Sequence, residues 1–380
     1  MTDQINIAAQ ESSTRVLIRE ACLDDDAQIR AQVRRNSMPG SISLTSDYDP
    51  SFFSAIQIEG YEHRVIVAES ADLIVGVGLM TKRRMYLDGV PSTVGYISSL
   101  RTDPAIRSTT AIARGNRIMK RVSDEWADVP FYLCAILQDN PEARRIITSG
   151  RAGLPPCMEL GTMYSAAIPL IKRRPLRPVG GIRIVRGSIV GADRIVVFLN
   201  RVGRGKQFFP VYTVDDLTSD DGILKDLQLD DFYVALEGDK ILGVTACWNQ
   251  LAFRRMVVTG YAGYARRLRP LLAPLAGALH LAPMPNPGEP LRNVYAACIA
   301  IEGDNPQVFR LLLNAILHNE YNTGKTFLVA GLMEGDPLLP ALKRYLHFPT
   351  RTDIFAMGWN GLEAASRLDG RPPYLELAGL

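Results

Sequence analysis

The chain has 380 residues, of which 47% are hydrophobic and 22% are charged, and its formal net charge is +3. This composition excludes an intrinsically disordered chain and allows two domains of ordinary size, each with its own core. A nearly balanced charge gives no support for binding to nucleic acid or to membranes through overall charge.

Cysteine usage and the N-terminal residues indicate a reduced, cytoplasmic environment. The five cysteines are scattered, and none forms a pair or a cluster with histidine at zinc-ligand spacing. We therefore predict buried thiols and no metal site. The N-terminus is polar, and no apolar run reaches the ~18 residues that a membrane span requires.

The first half of the chain has the pattern of a mixed α/β unit. Residues 1–14 are polar and predicted to be flexible, and the first unit extends over residues 15–172. It opens with a strand at residues 15–21, followed by a helix and by a hairpin at residues 64–80. A strand at residues 159–170 is predicted to close the unit.

Residues 93–156 are the most informative segment. A strand, Val94–Arg101, leads through a short basic loop into an amphipathic helix at residues 111–126, and a second strand covers residues 130–137. The loop places free backbone amides and Arg107 at the positive end of the helix dipole. A pyrophosphate or a similar anion could bind there. The second strand ends just before Asn140.

The same order of elements starts again after a charged, proline-containing linker at residues 173–180. A second unit is predicted over residues 181–359, and a tail follows at residues 360–380. Two copies of one α/β unit are the simplest interpretation. Residues 266–290, rich in leucine, proline and arginine, interrupt the second copy and receive no role.

The strand, loop, helix and strand of residues 93–156 resemble the acyl-coenzyme A binding core of the GCN5-related N-acetyltransferase (GNAT) superfamily. The resemblance covers most of residues 15–170 and, with lower specificity, residues 181–359. It implies two tandem acyl-coenzyme A N-acyltransferase domains, each a twisted mixed β-sheet flanked by helices, with a degenerate second copy.

The resemblance also implies which residues hold the acyl carrier. The superfamily loop usually reads Arg/Gln-x-x-Gly-x-Gly/Ala. Here Arg107 is present, but Thr110 and Ile112 replace the two glycines. Hydroxyl groups of the loop could donate to phosphate, although a simple Ser/Thr helix cap is the alternative. The residues predicted to bind the carrier are Ser99, Leu100, Arg101, Arg107, Ser108, Thr109, Thr110, Ala111, Ile112 and Asn140.

Within that set, the backbone amides near Ser99 and Leu100 are expected to polarise the thioester carbonyl. Asn140 matches the asparagine of the family's Asn-x-x-Ala motif. The tyrosine that often follows and protonates the leaving thiolate falls at Ile147. Tyr132 or Tyr164 is predicted to act instead, with Tyr96 as a further candidate. Without such a tyrosine, catalysis would be weak or absent.

The base that deprotonates the acceptor amine is predicted to be Glu69, at the end of its strand. Asp103 is a second candidate, although it also fits a turn residue before Pro104. Groups of the C-terminal tail could supply a missing acid or base. These groups are Tyr374, Glu376 and the terminal carboxylate of Leu380.

The second unit has acidic residues, Glu302 and Asp304, where a pyrophosphate would lie, so coenzyme A is not expected to bind there. It is interpreted as a structural or substrate-shaping copy. Its helix after Pro306 is apolar nearly all round and is predicted to be buried.

These observations predict an acyl-coenzyme A-dependent N-acyltransferase acting through the first unit, with acetyl-coenzyme A or another acyl-coenzyme A as co-substrate and no metal. The expected partner is a small-molecule or peptide amine, without nucleic acid or membrane, and a homodimer remains open. The alternative is a catalytically degenerate binding or scaffolding protein that keeps the fold.

Overall fold

The computed structural model describes residues 16–38, 40, 42–106, 110–176, 179–263, 266–267 and 285–380. In the first half of the chain, the strands are β1 (Leu17–Glu20), β2 (Ile42–Asp47), β3 (Glu62–Ser70), β4 (Leu73–Leu87), β5 (Val90–Thr102), β6 (Tyr132–Leu137) and β7 (Cys157–Pro169). In the second half, they are β8 (Ile182–Arg186), β9 (Phe232–Glu237), β10 (Lys240–Trp248), β11 (Arg255–Tyr261), β12 (Pro290–Leu291), β13 (Asn293–Ile301), β14 (Phe327–Met333) and β15 (Phe348–Met357).

Helices connect and cover these strands. The α-helices are α1 (Asp26–Arg35), α2 (Phe52–Ala55), α3 (Ala111–Glu125), α4 (Pro141–Ile147), α5 (Gly187–Val190), α6 (Ala192–Gly203), α7 (Val214–Thr218), α8 (Pro306–Asn319), α9 (Leu339–Leu342) and α10 (Glu363–Ser366). Short 3-10 helices include Ile56–Glu59 and Leu377–Gly379. A mixed β-sheet flanked by helices confirms the predicted α/β class.

Twelve strands form one continuous sheet in the order β1-β3-β4-β5-β6-β15-β7-β14-β13-β10-β9-β8. β7, the last strand of the first half, and β15, the last strand of the second half, lie at the centre of the sheet. Each of them pairs with strands of the other half. The prediction that the strand near residues 159–170 closes the first unit is therefore wrong. β7 pairs with β14 and β15, and β15 separates it from β6. The division into units 15–172 and 181–359 stays a prediction, because the two halves share this sheet.

The two faces of the sheet in the first half carry different layers. On one face α3 packs through Met119, Val122 and the following Trp126, a spacing of three and four residues that forms an apolar stripe. On the opposite face α1 and α2 cover strand residues such as Val67 and Leu79. Side chains that alternate along β3 and β4 therefore enter two separate cores.

Local sequence sets several of these boundaries. Ala71 and Asp72 both have positive φ, 49° and 62°, in the two-residue turn between β3 and β4, as a tight hairpin requires. Asn140 caps α4 by accepting from the amide of Ala143 at 3.1 Å, and Pro141 follows at the first helical position. No helix among the described residues is long and apolar enough to cross a membrane.

Candidate active site

The gap between β5 and β6 is the first feature of the site. The two strands pair in parallel over three positions only, from Gly95 opposite Tyr132 to Ile97 opposite Cys134. They approach closely at Gly95, where a Cβ atom would lie 2.1 Å from the Tyr132 ring. Both strands continue beyond Ile97 and Cys134, but their described residues no longer pair. An opening therefore separates the ends of the strands.

A β-bulge directs the backbone of β5 toward this opening. Val77 pairs with Arg101 and Leu79 with Ser98, so that two residues, Ser99 and Leu100, stand opposite one residue of β4. Ser99 has a φ of 52°, in the left-handed region. A bulge leaves its extra residue out of the ladder and re-aims the local peptide groups. The bulge contains Ser99 and Leu100 and lies beside the gap. The expected role of their amides in polarising a thioester carbonyl stays a prediction.

A cavity of about 330 Å³ fills the space between the gap and α3. Its wall on the side of α3 is apolar and includes Ile66, Ala68 and Met119, while Gly76 and Gly78 leave room by lacking side chains. At Gly78 an added Cβ would lie 3.1 Å from the Leu100 side chain. Cavities of this size and polarity are typical of small-molecule sites.

Most of the predicted carrier-binding residues meet at this cavity. The lining includes Ser99, Leu100, Arg101, Ala111, Ile112 and Asn140. Thr110 is exposed and is not part of the lining, and its side chain makes no capping bond to α3. Arg107, Ser108 and Thr109 lie outside the described residues. Because Ala111 and Ile112 begin α3, the amide-rich end of that helix faces the cavity, where an anion would be stabilised.

The predicted catalytic side chains do not line the cavity. Glu69 forms an ion pair with Arg19 at 2.7 Å. Tyr132 packs beneath Gly95, and burial raises the pKa of its hydroxyl to about 12. Tyr164 shares a hydrogen bond of 2.7 Å with His347. A catalytic role for Glu69, Tyr132 or Tyr164 therefore stays a prediction from the sequence.

The other catalytic candidates are also engaged elsewhere or absent from the lining. Asp103 pairs with Arg35 at 3.0 Å. Tyr96 is buried beneath the Arg83 guanidinium, 4.0 Å from its ring centroid. Ile147, at the position where the resemblance implies a tyrosine, does line the cavity. Among the lining residues, Cys134 carries a thiol, but burial raises its pKa to about 12 and keeps it neutral. A neutral thiol is a poor nucleophile.

Sequence reasoning missed Glu59, at the end of the 3-10 helix Ile56–Glu59. Its side chain is buried, with 2% of the residue exposed, and its carboxylate accepts a hydrogen bond of 2.5 Å from the Ser98 hydroxyl. Ser98 lines the cavity and directly precedes the bulge. Glu59 and Ser98 are 39 residues apart, so no local motif could reveal this contact.

The second half repeats the same backbone features at β13 and β14. These strands also pair in parallel over three positions, and Cys298 and Ile299 form a bulge opposite Thr245. Here the amides already have partners within the chain. The Cys298 amide donates to the Glu376 carboxylate at 2.7 Å, and the Ile299 amide donates to the Tyr374 hydroxyl at 3.1 Å.

The C-terminal tail therefore fills the bulge of the second half instead of supplying Tyr374 and Glu376 to the first cavity. The tail then continues toward the first half. Arg83 donates to the Gly379 carbonyl, and Arg254 donates to the backbone oxygen of Leu380. Leu380 packs with the apolar group that contains Tyr96. The terminal residue thus lies near the first half of the sheet without lining its cavity.

The acidic segment before α8 is neutralised by basic side chains. Arg201 donates to Glu302 at 3.0 Å, and Lys206 contacts Asp304 at 2.9 Å. No group of three or more potential metal-ligating side chains occurs among the described residues.

Several solved structures of known proteins are similar in fold to this chain. No family model and no curated protein sequence matched the chain. N-myristoyltransferase of Saccharomyces cerevisiae, in a structure with bound myristoyl-CoA, aligns with a TM-score of 0.58 at 12% identity, over 90% of this chain and 82% of that chain. A GCN5-related N-acetyltransferase of Sphaerobacter thermophilus aligns with a TM-score of 0.53 at 11% identity, over 90% of this chain and 95% of that chain.

A third match is a region of a fungal multi-domain β-N-acetylglucosaminidase described as a GCN5-related glucosamine N-acetyltransferase. It has a TM-score of 0.58 and 12% identity, and the alignment covers 93% of this chain and 39% of that chain. At this level of identity the similarity concerns the fold. The splayed parallel strands, the bulge beside them and these matches together show that the chain has the fold of the GNAT superfamily.

Proposed function

We propose that this protein is an acyl-coenzyme A-dependent N-acyltransferase with one active site, at the cavity of the first half. The observation that carries the proposal is the bulge at Ser99 and Leu100, which opens onto a cavity reaching the start of α3. The gap would accept the pantetheine arm, and the helix end would stabilise its diphosphate. Acetyl-coenzyme A is the simplest donor, and an amine is the acceptor.

The residues of the cavity suggest how the transfer would proceed. The amides of the bulge would stabilise negative charge on the thioester oxygen while the amine nitrogen bonds to the carbonyl carbon. Ser98 would pass the amine proton to Glu59, and the carbon–sulfur bond would then break. A thiol has a pKa of about 8.5, so a thiolate leaves readily near neutral pH even without a tyrosine acid. Ile147 at the tyrosine position is compatible with this route.

A degenerate binding protein is the second candidate function. Thr110 and Ile112 in place of two glycines, and Ile147 in place of a tyrosine, favour it. In that case the cavity would still bind coenzyme A, but no acyl group would be transferred. Binding and turnover must therefore be measured separately.

Calorimetric titration with coenzyme A tests the site. Gly78→Val would project methyl groups into the cavity and is expected to weaken binding at least tenfold. Gly260→Val is the matched control, because Gly260 also lies in a strand and a Cβ atom added there would meet no other atom within 4 Å. Wild-type protein that binds no coenzyme A would refute the proposal.

Release of coenzyme A thiol from acetyl-coenzyme A in the presence of amines tests the chemistry. Glu59→Gln preserves the shape of the side chain but removes the base, and we expect a rate loss of about 100-fold or more with unchanged coenzyme A affinity. Glu237→Gln, at an exposed position, is the control. Equal rates for Glu59→Gln and wild type would exclude the proton route through Ser98. Coenzyme A binding without turnover in wild type would favour the binding protein.

A further inference from the structure

We propose that Arg101 binds an anionic group of the acceptor, so that the acceptor is an amine that also carries a carboxylate, such as an amino acid or a peptide with a free C-terminus. The proposal rests on the proposed function, since Arg101 and the bulge belong to the same cavity. It adds the chemical class of the acceptor, which the fold does not specify.

The charge of Arg101 has no counter-charge among the described residues. Its side chain makes one hydrogen bond, from Nη1 to the Asn36 carbonyl oxygen at 2.8 Å, and no described carboxylate lies within ion-pair distance. The carboxylate closest in sequence, Asp103, pairs instead with Arg35 and accepts from the Asn36 amide. Burial lowers the pKa of Arg101, and no described carboxylate offsets this effect.

Arg101 is a partly buried guanidinium without a carboxylate partner among the described residues. A guanidinium has five N–H donors in a planar fork, and the bond to Asn36 uses one of them. The remaining donors match the two oxygens of a carboxylate, and such charge-assisted pairs are among the stronger polar contacts in proteins. A ligand carboxylate would satisfy both the charge and the unused donors of Arg101.

The face of the sheet on which Arg101 lies favours a contact with the acceptor over a contact with the phosphates of the carrier. Arg101 and Ser98 pair with Val77 and Leu79, two residues apart on one strand, so both side chains point to the same face. Val77 and Leu79 belong to the core beneath α1 and α2. The start of α3, where a diphosphate would bind, covers the opposite face.

Ser98 and Arg101 therefore flank the bulge on the face opposite α3, separated by roughly 7 Å along the strand. Ser98 leads to Glu59, where an amine would lose its proton. Arg101 stands on the other side of the bulge, within reach of a second group of the same molecule. An amine near Ser98 and a carboxylate at Arg101 would hold the acceptor across the thioester carbon.

Matched acceptor pairs test the inference. Coenzyme A release from acetyl-coenzyme A is followed with phenylalanine and its amide, lysine and its amide, and glycylglycine and its amide. The amides have less basic amines, so intrinsic reactivity at one pH favours them over the acids. We expect the acid of at least one pair to have a kcat/KM at least tenfold above that of its amide, mainly through a lower KM.

Arg101→Met should bring this ratio to one or below by raising the KM for the acid, and Arg101→Lys should restore part of the preference. Arg351→Met, at an exposed ion pair with Glu334, is the control and should keep the wild-type ratio. The losses expected at Arg101 are about 10- to 100-fold in KM for the acid.

Three results would overturn the inference: equal use of acid and amide by wild type, a preference that survives in Arg101→Met, or no transfer to any pair while coenzyme A still binds. The last result would leave the coenzyme A site standing and remove the carboxylate-bearing acceptor, and turnover with amines that carry no carboxylate would then decide between the transferase and the binding protein. Failure to bind coenzyme A would instead remove the proposed function itself. The two proposals can therefore fail separately.

Discussion

Replacement of Glu376 by alanine is expected to destabilise the protein, because this carboxylate fills the bulge of the second half. Glu376 is 6% exposed and accepts hydrogen bonds from the Cys298 amide at 2.7 Å, the Tyr374 hydroxyl at 2.8 Å and the Ala378 amide at 3.2 Å. Glu376→Ala removes the acceptor of all three donors, so they stay buried without this hydrogen-bond partner.

The expected size follows from those three bonds. A buried donor that loses its partner costs about 1–3 kcal/mol, so three donors amount to about 3–9 kcal/mol before any relaxation of the structure. Part of this loss is offset, because the variant no longer buries a carboxylate, whose desolvation raises the pKa of Glu376. We expect a net decrease of about 2–4 kcal/mol in the free energy of unfolding at pH 7.

The direction of the pKa shift also fixes the pH dependence. Because the pKa of Glu376 is raised above its ordinary value of 4.5, the folded state binds this proton more tightly than the unfolded state does. Its contribution to stability is complete below pH 4.5 and decreases as the pH rises through the folded-state pKa. The stability difference between wild type and Glu376→Ala should therefore shrink as the pH rises.

Urea denaturation at several pH values measures both effects. Glu237→Ala, at an exposed position of β9, serves as the control and is expected to lie within about 0.5 kcal/mol of wild type. Combining Glu376→Ala with Tyr374→Phe should cost less than the sum of the single changes, since the two side chains share a hydrogen bond. A stability of Glu376→Ala equal to that of the control would refute the structural role of the tail.

Two further predictions concern the first half. Gly95→Ala would place a Cβ atom 2.1 Å from the buried Tyr132 ring, so it should lower the free energy of unfolding by about 1–3 kcal/mol in urea denaturation and weaken coenzyme A binding. Hydrogen bonds from Arg19 hold the pKa of Asp25 well below its ordinary value of 3.8. Asp25→Asn should therefore be less stable than wild type near pH 7, and this deficit should diminish as the pH falls below 3.8; a deficit independent of pH would contradict this.

The elements around the cavity could be predicted because their signals are local. A strand was expected at residues 94–101 and a helix at 111–126, and the structure has β5 at Val90–Thr102 and α3 at Ala111–Glu125. The apolar spacing along α3 and the cap at Asn140 involve residues within one or two helical turns. Such patterns determine which face of an element is buried.

The central strands could not be placed from sequence for a physical reason. Alternating apolar residues show that β7 and β15 are buried strands, but they do not specify which strand lies beside each one. In a linear interpretation β7 follows β6 as the next strand of the first unit. In the structure β15, about 190 residues later in the chain, lies between them, because the final strands of the two halves are exchanged.

The side-chain contacts that the sequence did not reveal also join residues far apart in the chain. Glu59 reaches Ser98 across 39 residues, and Glu376 reaches Cys298 across 78 residues. Glu59 has no distinctive sequence neighbours, and its burial becomes evident only when the 3-10 helix packs beside β4 and its side chain reaches Ser98 of β5. By contrast, Glu69 looked suitable because it lies at the end of a strand near the predicted gap. That position serves an ion pair with Arg19.

The two bulges together explain why one chain is expected to have one active site. Both halves separate a pair of parallel strands beside a bulge, and both bulges contain a residue with a φ of 52°, Ser99 and Cys298. At Cys298 the carboxylate of Glu376 is held where a thioester oxygen would otherwise accept the same kind of bond. A substrate would have to displace that buried carboxylate and its partners. At Ser99 the bulge faces a cavity, so under the proposed function the first half would receive the carrier without first breaking the native tail contacts.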